Sequence, residues 1–336
     1  MQDSSKMLLS GETSASTSYK ARLITRHILQ CLEQHRETGT TEPLMVALQG
    51  PQGEYGHSIL VSRLTMHHYV GCGKTTVCAA LLNTLASSPH NLRVAAFSLD
   101  DLYLTHEGLV AVRESYPGNK LLTGRGLPGT HDVALGRKLL KDLKVINERD
   151  DGTVHLPIFD KSLFGGEGDR STEMVTVQAP LDVVLFEGWS VGFSPLDDQE
   201  LAARYRTAEE ARRESPEAAA PAFLNHSLDD LKTVNELLQQ TASQLWSFFT
   251  VCIQLELASL SQIYFWRLEQ EHAMMARNGR IGMTDEQVKV FVDRYLPGYE
   301  LWMEGIKTGP FAQRWKGRGL SLVYGAGREV LEVRHF

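Results

Sequence analysis

The chain has 336 residues, a length that suits one large α/β domain or two small ones. Its hydrophobic content of 42% and charged content of 22% are typical of a soluble globular protein. The net charge is −7 without a run of Lys or Arg, and no apolar run reaches the length of a membrane helix, so neither nucleic acid nor a membrane is an expected partner. The four cysteines form no C-x-x-C pair or zinc-ligand spacing, and the N-terminus lacks the apolar core of a signal peptide, so we expect reduced thiols and a cytoplasmic location.

Short apolar runs alternate with segments of helical periodicity. The predicted elements in chain order are a helix over 19–37, a strand over 43–48, a helix over 75–86, strands over 93–99 and 181–186, a buried segment over 246–255, a helix over 259–277, and strands over 320–324 and 329–333. Continuously apolar strands between helices are typical of a mostly parallel sheet covered on both faces. The predicted fold class is therefore α/β.

Two segments depart from this alternation. Residues 1–18 are polar and rich in Ser and Thr, and we expect them to form a disordered tail before a single domain over residues 19–336. Residues 194–221 are charged, rich in Ala and bounded by prolines. We interpret them as an exposed, partly helical insertion without a functional role.

A phosphate-binding loop is present in two halves, GPQG at residues 50–53 and CGKTT at residues 72–76. Joined, they read GPQGCGKTT, which matches the Walker A pattern G-x-x-x-x-G-K-[ST] between a strand and a helix. In such a loop backbone N–H groups surround the phosphates, the Lys reaches the outer phosphates and the Thr ligates Mg²⁺. The residues predicted to bind ATP and Mg²⁺ here are Gly50, Gly53, Gly73, Lys74, Thr75 and Thr76.

The segment Glu54–Gly71 separates the two halves, and it is either a natural loop insertion or a retained intron. Its 18 residues correspond to 54 nucleotides, so their removal keeps the reading frame. Gly53-Glu54-Tyr55 can be coded GGT-GAG-TAY, which contains a splice donor, and Val70-Gly71 can be coded GTA-GGN, which contains an acceptor. We favour the intron. Lengthening a surface loop by this much costs only about 1–2 kcal/mol, but here it separates amides that must converge on one phosphate, so we expect folding to survive and ATP binding to fail.

Paired acids, Asp100 and Asp101, follow the strand over 93–99. The carboxyl ends of the strands are where α/β sheets bind their ligands, and a carboxylate there can accept the proton of an acceptor hydroxyl during phosphoryl transfer. We predict Asp100 as this base, assisted by Asp101. The alternative is a solvated turn that caps a helix.

Two glycine-containing polar loops, residues 121–132 and 157–170, supply charged groups that suit an anionic acceptor, although ordinary turns also have this composition. The residues predicted to shape the acceptor site are Arg125, His131, Asp132, Asp160, Lys161 and Arg170. Glu187, the acid that ends an apolar strand, is predicted to hold Mg²⁺ or its water. Arg267 lies in the segment 264–272, which starts a charged helix, and it is either a packed helical residue or a lid arginine over the phosphates.

The segments SLDDLYLTHE, LLTGRGLPGTHD, FDKSLFGGEGDR, VVLFEGW, WRLEQEH and GMTDEQVKVFVDRYLPGYELW resemble the D-glycerate 3-kinase family, the plant glycerate kinases and their fungal ATP-binding homologues. These are P-loop kinases related to uridine kinase, phosphoribulokinase and pantothenate kinase. The resemblance covers most of residues 43–305. It implies a P-loop NTPase fold, with Asp100 at the catalytic-base position of the S-x-D-x-[FL]-Y motif and Glu187 at the acid of the second nucleotide strand. The split phosphate loop and residues 194–226 depart from the family pattern.

The expected function is ATP-dependent phosphorylation of a small hydroxy acid, D-glycerate to 3-phosphoglycerate first. The alternatives are an ATP-binding regulatory protein of the same fold and an inactive product of the interrupted loop. The sequence predicts no oligomeric state.

Overall fold

The computed structural model describes residues 16–51, 74–277 and 282–336. The strands are β1 Leu44–Gln49, β2 Val94–Ser98, β3 Thr153–Asp160, β4 Asp169–Gln178, β5 Val183–Gly188, β6 Val251–Leu257, β7 Gly319–Tyr324 and β8 Val330–His335. The α-helices are α1 Thr17–Glu37, α2 Lys74–Ala86, α3 His106–Ser115, α4 Val133–Lys144, α5 Asp198–Glu214, α6 Leu228–Leu245, α7 Gln262–Arg277, α8 Asp285–Asp293, α9 Leu296–Leu301 and α10 Gly305–Thr308. None of the helices in the described ranges is long and apolar enough to cross a membrane.

Six strands form one sheet in the order β2-β5-β1-β6-β7-β8. The first five run parallel and β8 is antiparallel to β7. Strands β3 and β4 form a separate antiparallel hairpin. This arrangement confirms the predicted α/β class with a mostly parallel sheet.

The central strands are apolar throughout because both faces of the sheet are covered. Every residue of β1 and of β5 is buried. Alternate residues of each strand enter two cores: Leu44 and Val46 pack with α1 and α2 on one face. Met45 and Ala47 pack with α4, α6 and the aromatic residues near the C-terminus on the other.

Strand order reverses beside β1, which places the ligand crevice of the sheet there. From β1 the chain leads through α2 to β2 on one side, whereas β6 and β7 lie on the other side. In open α/β sheets ligands bind at the carboxyl ends of the strands at such a point. Gly50 directly follows β1 at this position, and its N–H donates to the Gly188 carbonyl at 3.4 Å, which joins the ends of β1 and β5.

The structure corrects two predicted boundaries. Residues 17 and 18 belong to α1 rather than to a disordered tail, because the Ser16 hydroxyl accepts the Tyr19 N–H at 3.1 Å and caps the helix. The charged segment 194–221, expected to be exposed and partly helical, is exposed over much of its length and contains the 17-residue helix α5, which packs through fully buried Leu201. Residues 157–170 were predicted to form a loop. In the structure they contain the end of β3 and the start of β4.

Candidate active site

The acid pair after β2 divides into two different environments. The Asp101 side chain is 2% exposed, and its carboxylate accepts the N–H of Ser98 at 3.2 Å and of Phe159 at 3.3 Å. Burial raises the pKa of Asp101 to about 7, with these two backbone hydrogen bonds opposing the shift. Because the carboxylate is engaged with backbone and closed to solvent, we assign Asp101 to holding the turn in place, which revises its predicted part in proton transfer.

Asp100 lies on the open side of the same turn. Its Oδ2 lies 2.6 Å from Lys161 Nζ, and both side chains are partly exposed, at 26% and 16%. Tyr103 lies near this carboxylate, and burial, together with the charge of Asp100, raises the pKa of Tyr103 well above its usual value. The structure therefore brings together predicted base and predicted acceptor cation, from sequence positions 61 residues apart.

His131 lies beside Tyr103 in the same part of the site. It pairs with Tyr103 in an isolated antiparallel bridge, and the two rings stack with centroids 4.6 Å apart. The ring is 5% exposed, and among the described residues neither of its nitrogens has a hydrogen-bond partner. Burial lowers the pKa of His131 to about 4, with Asp100 opposing the shift, so the ring is neutral at pH 7. A buried imidazole without partners is costly, which makes it a candidate contact for a bound ligand.

The two predicted acceptor arginines are engaged with the protein. Arg125 Nη1 donates to the carbonyls of Gly166 and Glu167, both at 2.5 Å. Arg170 Nη2 donates to the Tyr103 carbonyl at 3.1 Å and to Asp132 at 3.2 Å. These hydrogen bonds attach the turn of the β3–β4 hairpin to the loop that carries His131, so both arginines shape the site by joining its loops.

The two remaining predicted acceptor acids have local partners. The Asp132 Oδ1 caps α4 by accepting the Leu135 N–H at 2.9 Å, while its Oδ2 accepts from Arg170. Asp160, at the end of β3, accepts the N–H and the hydroxyl of Ser162 at 2.8 and 2.6 Å. Both carboxylates shape the turns that carry the site.

The residues predicted to bind the nucleotide follow β1 and end β5, at the carboxyl edge of the sheet. Glu187 is 3% exposed and stands in register with Leu48 of β1 and Ser98 of β2. Helix α2 begins at Lys74 and includes Thr75 and Thr76. Gly53, Gly73 and the segment 54–71 lie outside the described residues, as do the side chains of Lys74 and Thr75.

Arg267 on α7 is 2% exposed and pairs with Glu271, with Nη2 and Oε2 2.5 Å apart. Its guanidinium also lies over the Phe291 ring of α8, 5.1 Å from the centroid. The other Glu271 oxygen accepts the Met283 N–H at 2.8 Å. In this structure the pair connects α7 to α8, and a role for Arg267 over the phosphates stays a prediction.

Three residues that fix the acceptor loop were not among the predicted site residues. Arg294 and the Tyr295 hydroxyl donate to the Arg125 carbonyl at 2.9 and 3.2 Å. The Trp189 indole donates to the Gly126 carbonyl at 3.1 Å. The signal lay in Gly126 itself: its φ is +142°, and a Cβ there would lie 2.3 Å from the Tyr295 hydroxyl oxygen, so a glycine is needed for this close approach.

Comparison with known proteins identifies the relatives of this chain. A solved structure of D-glycerate 3-kinase from Cryptococcus neoformans var. grubii superposes with a TM-score of 0.82 and 38% identity, over 94% of this chain and 99% of that chain. The probable ATP-dependent kinase TDA10 of Saccharomyces cerevisiae is 34% identical over 274 residues, 80% of each protein. The chloroplastic D-glycerate 3-kinase of Arabidopsis thaliana is 34% identical over 236 residues, 69% of this chain and 46% of that protein.

No protein-family model matches the chain. The solved structure of the fungal D-glycerate 3-kinase nevertheless agrees with the fold over almost the whole chain. Because it covers almost the whole of a D-glycerate 3-kinase to which it is 38% identical, the chain belongs to the D-glycerate 3-kinase family of P-loop kinases.

Proposed function

We propose that this kinase transfers the γ-phosphoryl group of ATP to the 3-hydroxyl of D-glycerate, forming 3-phosphoglycerate in the cytoplasm. The observation that carries the proposal is the contact between Asp100 and Lys161 at 2.6 Å, beside the buried ring of His131. A base, a cation and an unused hydrogen-bonding group in one cleft suit an acceptor with both a hydroxyl and a carboxylate.

Asp100 is positioned for proton transfer by the elements around it. The capping box between Ser98 and Asp101 fixes the turn that carries Asp100. As the acceptor oxygen attacks phosphorus, its proton passes to Asp100. Asp100 follows β2 and the start of α2 follows β1, so the acceptor and the phosphates would both lie at the carboxyl edge of the sheet.

Glu187 and Thr75 are the residues we propose to hold Mg²⁺. A carboxylate and a hydroxyl are the hard oxygen donors that this ion prefers, and Glu187 is a buried acid at the end of β5, beside the strand that leads into the phosphate loop. When bound, the ion would neutralise charge on the phosphates. Lys74 would supply the matching cation from the start of α2.

A panel of acceptors tests the proposal. The full chain and the variant lacking Glu54–Gly71 are incubated with ATP, Mg²⁺ and D-glycerate, L-glycerate, glycerol, uridine or pantothenate, and ADP formation is followed. We expect D-glycerate to have the highest kcat/KM in the variant. Turnover of uridine without turnover of D-glycerate would overturn the acceptor assignment. ATP binding without turnover of any acceptor would favour a regulatory ATP-binding protein.

A further inference from the structure

The ion pair between Lys161 and Asp100 engages one oxygen of the proposed base. Lys161 Nζ lies 2.6 Å from Asp100 Oδ2, within the range of a charge-assisted hydrogen bond. The carboxylate of the proposed base is therefore already paired with a cation. On the side that Lys161 covers, an acceptor hydroxyl can reach Oδ2 only after the ammonium group moves away.

Lys161 differs from the other two predicted acceptor cations in what it binds. Arg125 is engaged with two backbone carbonyls, and Arg170 with a carbonyl and with Asp132. Lys161 instead binds the proposed base itself. It is also the first residue after β3, on the turn of the hairpin, so its side chain can change partner without disturbing either sheet.

We propose that Lys161 makes the release of Asp100 depend on the charge of the acceptor. The carboxylate of an anionic acceptor binds the Lys161 ammonium, and this exchange of partners releases Asp100 Oδ2 for the acceptor hydroxyl. The inference rests on the proposed kinase function, and it explains how the site would reject a neutral alcohol as acceptor. In the transfer, the hydroxyl oxygen bonds to the γ-phosphorus as the bond from that phosphorus to the β–γ bridging oxygen breaks. The proton passes to Asp100, and ADP leaves with the electron pair.

The exchange favours an anion because it keeps the lysine paired. With an acceptor carboxylate, one charge-assisted contact of Lys161 replaces another. A neutral acceptor of the same shape would leave a partly buried ammonium and carboxylate separated without compensation, a loss worth roughly 10- to 100-fold for a hydrogen bond to a charged group. His131, whose ring borders Asp100 and has no partner in the described part of the chain, offers a second contact to the acceptor in either case.

The test compares D-glycerate with D-glyceramide, in which a neutral amide replaces the carboxylate, in the full chain and in the variant lacking Glu54–Gly71. In the parent, we expect D-glyceramide to be a poor acceptor. Lys161→Met removes the ammonium and keeps the length of the side chain. It should raise kcat for D-glyceramide roughly 10-fold while lowering kcat/KM for D-glycerate roughly 10- to 100-fold. Calorimetry should show weaker D-glycerate binding by Lys161→Met.

Two further variants serve as controls. Lys161→Arg keeps the positive charge and should still reject the amide. Lys138→Met removes a lysine from an exposed ion pair on α4 and should change neither acceptor's kinetics. If Lys161→Met lowers turnover of both acceptors, or leaves D-glyceramide at the parent rate, the inference is wrong, and D-glycerate turnover by the parent still supports the proposed function. If neither parent form phosphorylates D-glycerate, the proposed function fails first, and the inference fails with it.

Discussion

Asp101 and Phe159 connect the six-stranded sheet to the β3–β4 hairpin, through a hydrogen bond of 3.3 Å from the Phe159 N–H to the Asp101 carboxylate. The other oxygen of the carboxylate binds the Ser98 N–H at the end of β2. One buried acid thus fixes the distance between the turn that carries Asp100 and the strand that leads into Lys161. The geometry of the candidate site depends on this contact, although Asp101 is itself closed to solvent.

This contact makes a prediction about stability and pH. Burial raises the pKa of Asp101 to about 7 in the folded chain, above an unfolded value near 4. The folded state therefore binds more protons than the unfolded state between about pH 4 and pH 7, so the Asp101 contribution to stability falls as pH rises through this window. The free energy of unfolding can be measured by urea unfolding from pH 4 to 8. Asp101→Asn should make its decline with rising pH smaller than in the unsubstituted protein, by about 1–4 kcal/mol across the window.

Asp142→Asn, on the surface of α4, is the matched control for this experiment, because its partners are exposed lysine and arginine side chains. If the free energy of unfolding changes with pH in the same way in the unsubstituted protein and in Asp101→Asn, the prediction is wrong.

The second prediction concerns the proposed base. Asp100→Asn keeps the shape of the side chain but cannot accept the hydroxyl proton, so kcat should fall roughly 10²–10⁴-fold while ATP affinity remains close to that of the parent. Steady-state kinetics and calorimetry with ATP measure the two quantities. A variant that retains the parent's kcat would remove Asp100 from the mechanism.

The sequence predicted the layered fold well because buried parallel strands have a clear apolar pattern. It predicted less of the β3–β4 hairpin, since the glycine-rich turn and the charged ends of both strands resemble a loop. The proximity of Asp100 and Lys161 could be expected only in general terms, because strand ends meet at one edge of a sheet. That Arg125 and Arg170 bind protein groups depends on contacts between distant loops, for which the local sequence carries no signal.

The third prediction concerns His131. Its ring nitrogens have no partner within the described ranges, so His131→Phe, which keeps the stacking on Tyr103, should raise the free energy of unfolding at pH 7 by about 1 kcal/mol. The same change should raise KM for D-glycerate roughly 10-fold if the imidazole binds the acceptor. Stability gained together with affinity lost is the combination expected of a functional group that the folded protein leaves unsatisfied.

His131 also gives a pH dependence of opposite sign to that of Asp101. Its pKa is lowered to about 4, below an unfolded value near 6.5, so the unfolded state binds more protons between these values and stability rises with pH across them. This rise should be absent in His131→Phe. His155→Phe, an exposed histidine on β3, is the control and should leave both the pH profile and KM unchanged. If both variants behave alike, the buried ring has no special role.

The last prediction concerns the segment Glu54–Gly71. Joined, residues 50–53 and 72–76 would form a continuous phosphate loop between β1 and α2, directly at the crevice of the sheet. Removing the segment should therefore strengthen ATP binding by more than 10-fold, since amides that converge on one phosphate need a continuous short loop. Calorimetry on the full chain and on the deletion variant measures this difference. In the deletion variant, Lys74→Ala should abolish transfer, while Lys138→Met should not. Equal ATP affinity in both forms would identify the segment as a tolerated insertion, and genomic DNA without splice signals at its ends would exclude the intron.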